Sequence, residues 1–548
     1  MSTLREPSLG PIVGHTTHQT CRIWMRGVDP VDPKVGMSED LRTIGVISVV
    51  GKGGKAVPAK SRRVYYFRLH REYDRTGTFT LGADSSFRLA TSAQATDPLE
   101  PDTEYEVRVG SLAIDDAIDN DARVPDDLIL KRLPDPLVWY DSLLKLDPAR
   151  STARFRTFPE DTAQRELSFL LGSCRYPGLF WKRKLADQIF GTMMARIEAE
   201  PSIRFTLMVG DQIYADMFNR LVPIGLADTF EEFQERYHSA FGSLHMRRLL
   251  RSQPTYMILD DHEIEDNWTQ DRLRDHKKRI IFNLAIDAYR SYQWSHSPRP
   301  YPDRLFYSFS CGGYPFFVID GRTQRCRGID SDLSDNHMLG RPSFPGDPPS
   351  QLEYLCEWLV AQQNTRGNVP KFLVSPSVFV PNDITTIKSD RHKDRDDSWP
   401  AFPNTRRALL ECIVRNEIQN VVFLSGDIHC SNVAEIFFGG TPEAARLKAF
   451  SVTSSAFYWP FPFADGDPAG YVHDSRDPET PDTFAIRPAE DLKMDYRSWN
   501  FTQEDNFCQI RISRESASLE VRAYDRSGAI IRVGNNDLVA TLQLVPWQ

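Results

Sequence analysis

The chain lacks any long apolar run. Nowhere in its 548 residues do about 18 apolar side chains follow one another, the length a helix needs to cross a bilayer. No membrane span is therefore expected. The opening stretch, MSTLREPSLGPIV, has no apolar core of a secretory signal. Arg62-Arg63 lacks the apolar segment that would follow a twin-arginine motif. On the sequence as given a cytoplasmic location is expected, and a periplasmic or extracellular one if a signal was removed. Paired cysteines are missing as well. The 8 cysteines are scattered with no CxxC, which argues against a disulfide framework and suits a reducing compartment. Positive charge is not in excess. A formal net charge of −9 is the opposite of the basic face that nucleic-acid binders carry, so no nucleic-acid partner is expected. Two basic clusters, Arg247, Arg248 and Arg251, and Lys277, Lys278 and Arg279, read as solvated helix faces. There is no internal repeat and no low-complexity tract.

What is present is an ordinary globular balance. A hydrophobic content of 41% suffices for a substantial core, and the length allows about two to four domains. The first 160 residues read as strands: TCRIWMRG (20–27), RTIGVISVV (42–50), VYYFRLH (64–70) and TEYEVRVGSL (103–112). Turn residues separate these β-branched and aromatic runs, as in a sandwich. LEPDTEYEVRV is similar to the loop-to-strand corner of a fibronectin-III-like module. Residues 115–150, acidic and proline-bearing, read as a long insertion or loop, and ARFRTFP (153–159) as a closing strand. Near residue 165 the pattern changes. LSFLLGS (167–173), RFTLMVGD (204–211), TYMILDD (255–261), PFFVIDGR (315–322), KFLVSPS (371–377) and NVVFLSGD (420–427) are continuous apolar runs, suited to strands buried on both faces. Helical patterns over 182–199, 276–294, 350–363 and 403–417 lie between most of them, a layered α/β plan. FCQIRIS, SLEVRAYD and ATLQLVP near the end alternate like antiparallel strands.

Four of the apolar runs end in side chains that bind metals or move protons. The first places Cys174 just past its strand. The second ends in Gly-Asp, with Asp211 at the tip and Tyr214 three residues on. The third offers Asp260, Asp261, His262 and Glu263, and a later one Asp427 and His429. In an α/β sheet, ligands bind where the carboxyl ends of strands converge, so residues far apart in sequence can meet. Each piece has an ordinary alternative. An acid after a strand often caps a helix, a buried Cys is a small hydrophobe, and a strand-end Tyr or His packs. Their joint occurrence at four strand ends is the signal. Carboxylate, imidazole, thiolate and phenolate together suit more than one cation. A carboxylate bridges two metals about 3.5–4 Å apart, and such a pair clamps the attacking and leaving oxygens of a phosphoryl transfer. Thiolate and phenolate favour a trivalent or soft transition metal over magnesium. In this reading Gly210 lets the chain turn, Asp211 bridges, and Tyr214 reaches back to one metal.

GSCRYPG (172–178), GDQIYAD (210–216), LDDHEIEDNW (259–268), VIDGRTQR (318–325) and LSGDIHCS (424–431) together resemble the PhoD-type alkaline phosphatase family of metallophosphoesterases. QLEYLCEWL and DDSWPAFPNTRRALLECI match that family's helix segments in order, and the resemblance covers most of the chain. It implies a calcineurin-like α/β/β/α domain over 165–548, preceded by a fibronectin-III or immunoglobulin-like sandwich over 1–160. It also implies ferric iron on Cys174 and Tyr214, as in the similar purple acid phosphatases. Asp211 would bridge, Asp261 would bind the second metal, and Asp427 and His429 would complete the two shells. His262 would contact substrate or protonate the leaving oxygen, and Asp261, His262 and Arg322 form the expected catalytic group. Calcium is expected beside iron, with Asn267 and Asp320 as weaker candidates on its side; zinc or manganese would also suit these donors. Arg322 and Arg325 sit in DGRTQR. A guanidinium fork suits phosphate oxygens, and surface ion pairing is the alternative. One departure from general calcineurin-like enzymes is the absence of a histidine before the final Gly-Asp-x-His, where SPSVF (375–379) stands.

The expected activity is hydrolysis of phosphate mono- or diesters, with triesters also compatible, by a metal-bound hydroxide attacking in line and His262 as general acid. The expected partner is a small phosphate ester, and no oligomeric state follows from the sequence. FYWPFPF (457–463) would roof the pocket or form a packed proline-aromatic loop. The rival expectation is a binding or structural protein that kept the fold and lost the chemistry. Against it, every expected ligand position carries a competent side chain.

Overall fold

The computed structural model describes residues 3–28, 42–82, 97–114, 128–129, 132–164, 166–178, 183–216, 226–328, 333–384, 398–461, 468–479 and 481–547. The N-terminal strands form two sheets, one of six strands and one of three. The small sheet contains Leu9–Thr16, Cys21–Arg26 and Thr76–Leu81. Successive side chains on a strand point to opposite faces. Cys21, Ile23 and Met25 accordingly share a core with Ile47, Phe67, Val107 and Phe155 of the larger sheet. The other face of the same strand carries Arg22, Trp24 and Arg26 toward the rest of the chain, where Trp24 Nε1 donates to the Ser291 carbonyl (2.8 Å). The strands read from sequence are present, and the closing one, Thr152–Arg156, pairs with Glu104–Ala113.

The expected loop over 115–150 needs correction. Residues 115–127 lie outside the described residues, but Pro136–Trp139, Tyr140–Lys145 and Pro148–Ser151 are short helices. Asp135 and Asp147 accept from the Leu137 and Ala149 N–H groups at their N-termini. Tyr140, Leu143 and Leu146 are buried against Leu4, Val46 and Leu112, so this part covers the N-terminal sheet.

Among the described residues beyond 165, two large sheets face each other, one of six strands and one of eight. Phe169 stacks on Phe205 at 5.0 Å within the first, and meets Phe316 and Phe372 of the second edge-on at 5.5 and 5.6 Å. Arg183–Ala199, Phe230–Phe241 and His276–Tyr292 cover the outer side of the six-stranded sheet, packing Phe190, Phe233 and Ala285 in one core with Leu170 and Met208. Gln351–Arg366 and Pro403–Arg415 cover the eight-stranded sheet, with Leu355, Leu409 and Ile413 against Phe317 and Leu373. The layers run helix, sheet, sheet, helix. Leu170 serves the outer core and Phe169 and Leu171 the inner one, which is why LSFLLGS is apolar throughout.

The strands that matter for chemistry are parallel. Leu167–Gly172, Ile203–Met208 and Thr255–Met257 run together in one sheet. Tyr314–Val318, Lys371–Val374, Val421–Ser425 and Ala449–Thr453 do so in the other. Their carboxyl ends carry the candidate site.

The basic clusters are not simply solvated. Arg247 donates through Nε and Nη2 to the Gly10 carbonyl (3.0 and 2.8 Å), and Arg251 to that of Pro148 (3.1 Å). Lys278 pairs with Glu265 at 2.5 Å. The arginines tie the N-terminal strands to the helix Leu244–Leu250 and its end. All eight cysteines are described and none is in a disulfide. Among the described residues no helix is long and apolar enough to cross a membrane.

Candidate metal centre

The strand ends turn sharply. Cys174, Asp211, Asn267, Asp427 and His429 have φ of 56°, 57°, 57°, 75° and 52°. Residues with a Cβ rarely adopt this left-handed region, at a cost of about 1–3 kcal/mol each, and such strain collects at functional sites. Five of the nine expected site residues therefore sit in turns that the packed sheets must hold in place. Gly210 (φ 103°) explains why Asp211 follows a glycine: a Cβ there would lie 2.5 Å from that of Asp260 on the neighbouring strand end.

These turns bring three overlapping donor groups together: Cys174, Asp211 and His429; Asp211, Asp261 and His262; Asp260, Asp261 and Asp427. In each, one donor atom per residue lies within 4.8 Å of the others. Asp211 and Asp261 each belong to two groups. The Tyr214 hydroxyl lies 3.2 Å from Asp211 Oδ2 and 3.5 Å from His429 Nε2. Asp211 Oδ1 and Asp260 Oδ2 are buried and receive no hydrogen bond. Leaving buried carboxylate oxygens without a donor is costly, and a cation removes that cost. The donor set thus suits bound metal ions.

The electrostatics agree. Burial, then Asp211, push the Cys174 thiol and the Tyr214 phenol well up. Burial and the neighbouring acids raise Asp211 too, against the opposing charge of His262. A cation would reverse these signs, because it favours the deprotonated ligand. Burial, then His262, lowers His429 to about 3, leaving a neutral imidazole. His262 differs. Burial opposes its charge, but Asp216, Asp261 and Asp211 outweigh burial and hold it well above the ordinary histidine value.

Two neighbours position these groups, one of them missed in the sequence. Asp216, the last residue of GDQIYAD, contacts His262 Nδ1 at 2.7 Å and accepts from the Asp266 N–H at 2.6 Å. Its place two residues after Tyr214 was the only signal. Glu263 was a candidate ligand but serves as a brace. Its carboxylate accepts from the N–H groups of Asp211 (3.2 Å), Gln212 (2.8 Å) and Asp260 (3.0 Å), and burial raises it to about 8.

Arg322 is not a surface ion pair. It is fully buried, with Nε 2.5 Å from Asp260 Oδ1 and Nη2 3.4 Å from Asp261 and 3.9 Å from Asp427. Arg325, also fully buried, donates to the Gly321 carbonyl (2.7 Å) and the Ser377 hydroxyl (2.6 Å). Ser377 of the SPSVF segment thus holds this arginine in place. Asn267 acts through its backbone, donating to Asp261 Oδ2 at 2.6 Å, while its side chain donates to Asp266. Asp320 accepts from the Arg322 and Thr323 N–H groups (3.2 and 2.9 Å) and so closes its own turn. From FYWPFPF, Trp459 stacks on His429 at 3.6 Å, while Tyr176, from GSCRYPG, meets Tyr214 edge-on at 5.2 Å. The aromatic stretch packs directly on the candidate ligands, as far as residue 461; 462 and 463 lie outside the described residues.

A family model described as PhoD-like phosphatase matches residues 178–462. That span is just over half of the chain and holds every candidate site residue except Cys174, which lies shortly before it. Alkaline phosphatase D of Bacillus subtilis (strain 168) is 24% identical over 215 residues, 37% of this chain and 36% of that relative. The alignment therefore spans about a third of the relative's length. A solved structure of PhoD superposes with a TM-score of 0.61 at 14% identity, covering 99% of this chain and 94% of that one. Purple acid phosphatase PPD1 from yellow lupin (Lupinus luteus) seeds gives 0.55 at 9% identity, covering 97% and 74%. At these identities the likeness shows a shared fold.

Proposed function

This chain belongs to the PhoD-like phosphatase family, and from that premise we propose that it is a metal-dependent hydrolase of phosphate esters. The observation that supports this reading most is the sharing of Asp211 and Asp261 between adjacent donor groups, the arrangement a bridged pair of cations requires. Cys174, Tyr214, Asp211 and His429 would hold a ferric ion. Asp211, Asp261 and Asp427 would hold a divalent ion, calcium in our reading, with zinc or manganese as the alternative. When bound, the cations supply a nucleophile by acidifying water, and they neutralise charge on the phosphoryl oxygens.

The chain's own residues do the rest. His262 turns Nδ1 to Asp216, which leaves Nε2–H to protonate the leaving oxygen. Asp216 fixes the ring and its charge. Arg322 lies among Asp260, Asp261 and Asp427 and balances them, so that the carboxylates stay ionised; this replaces a direct grip on substrate phosphate. Trp459 and Tyr176 shield the donors from bulk water. Residues 1–160 act as a sandwich domain supporting the catalytic domain over 165–548. The substrate is a small phosphate mono- or diester.

The test compares wild type and Asp211→Asn on aryl phosphate mono- and diesters, with metal content read by plasma mass spectrometry on protein purified without chelators. Turnover lost in the variant, with iron near one equivalent in the wild type, is expected. Equal, negligible rates in both would favour the binding-protein reading.

A further inference from the structure

A second charged site lies at the seam between the small N-terminal sheet and the helix His276–Tyr292. Two arginines of the strand Cys21–Arg26, on one face of it, meet opposite surroundings. Arg26 donates through Nε and Nη2 to the two oxygens of Asp74, at 2.7 Å each. His238 lies 2.8 Å from the same carboxylate, and the Tyr292 hydroxyl donates to it. Arg22 has the Ser297 carbonyl for Nη1 (2.9 Å), while its Nε is buried without an acceptor. No carboxylate among the described residues pairs with it. Burial, then the like charge of Arg299, lowers it to about 9.

Arg22 lines a cavity of about 330 Å³ together with Arg290, Arg299, Tyr66, Tyr73 and Trp294. The volume falls at the small end of ligand sites, about 300–1,000 Å³. No Asp or Glu is among its described lining residues; nearby Glu72 is engaged by Arg68 and His70. Thr78 also lines it, and its hydroxyl is buried without a partner. Thr78 and Thr80 stand opposite Trp24 and Arg22 across the sheet. Arg299 holds its guanidinium 4.2 Å from the centre of the Trp294 ring.

Uncompensated guanidinium groups and unmet buried donors call for an anion. Tyrosine and tryptophan walls call for a flat ring. We propose that this cavity binds a small oxyanion carried on an aromatic ring, with Arg22 as the charged anchor, Thr78 as a second donor and Trp294 and Tyr73 against the ring. The site shares no residue with the metal centre. Because it is built from both sides of the seam, its ligand stabilises the docking of the N-terminal sheets.

The test is calorimetric titration of the metal-loaded full chain with naphthalene-2-sulfonate, which a phosphatase cannot hydrolyse. One site is expected. Arg22→Gln should weaken binding by at least about tenfold and abolish the ligand-induced rise in Tm, leaving turnover of p-nitrophenyl phosphate unchanged. Should Arg22→Gln fail to fold, Arg299→Gln on the rim should weaken binding by about threefold or more. Unchanged affinity in whichever variant folds would overturn the proposal, as would the absence of binding to wild type. Cyclohexanesulfonate should bind at least about fivefold more weakly; equal affinity would overturn the aromatic part. These readings do not depend on catalysis, so a failure of the phosphatase reading would leave them interpretable.

Discussion

The strand-end cluster and the Arg26–Asp74 network are both buried, charged and assembled from distant parts of the chain, yet they are built to different ends. Around Asp74 every charge is answered. Burial would raise its pKa, but His238 and Arg26 hold it down to about 2. At the strand ends acids crowd one another, Asp211 and Asp260 keep oxygens without donors, and five residues take left-handed turns. Among the described residues Arg322, Arg325 and protonated His262 oppose the carboxylates. A closed network holds a structure together, whereas an open one under strain waits for a ligand. The Arg22 cavity, on the same strand as the closed network, is of the open kind.

This contrast can be broken by mutation. The largest effect should come from Asp211→Asn, which removes a charge shared by two donor groups: turnover should fall by about 10⁴-fold or more and bound metal should be lost, with little change in denaturant midpoint of the metal-free protein. Asp74→Ala should do the reverse, lowering stability by about 3–5 kcal/mol through the stranded Arg26 while metal content per folded molecule is kept; chemical denaturation with parallel metal analysis reads both. If the two variants behaved alike, the distinction between open and closed networks would fail. Asp216→Asn should reduce kcat by about 10–100-fold at unchanged metal content, seen in steady-state rates across pH, because it acts through His262.

The smallest effect is one of pH. His296 is fully buried at the seam, against Gly14, and burial, then Arg22, lowers it from 6.5 to about 3. The unfolded chain binds the proton first, so stability should be complete above pH 6.5 and fall below it. The slope approaches about 1.4 kcal/mol per pH unit. Denaturation midpoints between pH 6.5 and 5 would show it, and the slope should flatten in His296→Gln.

Much of the fold was legible. Continuous apolar runs marked the central strands because both faces of each sheet are covered, and Leu170 and Leu171 face different cores. The helix Phe230–Phe241 was missed although its capping box, Thr229 with Glu232, was readable. The strands Ser431–Gly439 and Leu492–Thr502 were missed as well; their polar residues on partly solvated faces break the run that marks a buried strand. In the candidate site, donor types could be read from the motifs. The division of labour among Asp260, Glu263, Asp216 and Arg322 could not, since all are charged residues in or beside the same motifs.

The sequence by itself determined which side chains stand at the strand ends and that their chemistry suits two cations, because a strand and the turn after it are neighbours along the chain. Only the tertiary structure decided which charges are matched. Arg322 meets Asp260 across 62 positions and Arg26 meets Asp74 across 48. Arg22, on the same strand as Arg26, meets no carboxylate among the described residues. Local patterning cannot encode such differences: whether a buried charge is satisfied depends on distant residues brought within a few ångströms when the sheets close.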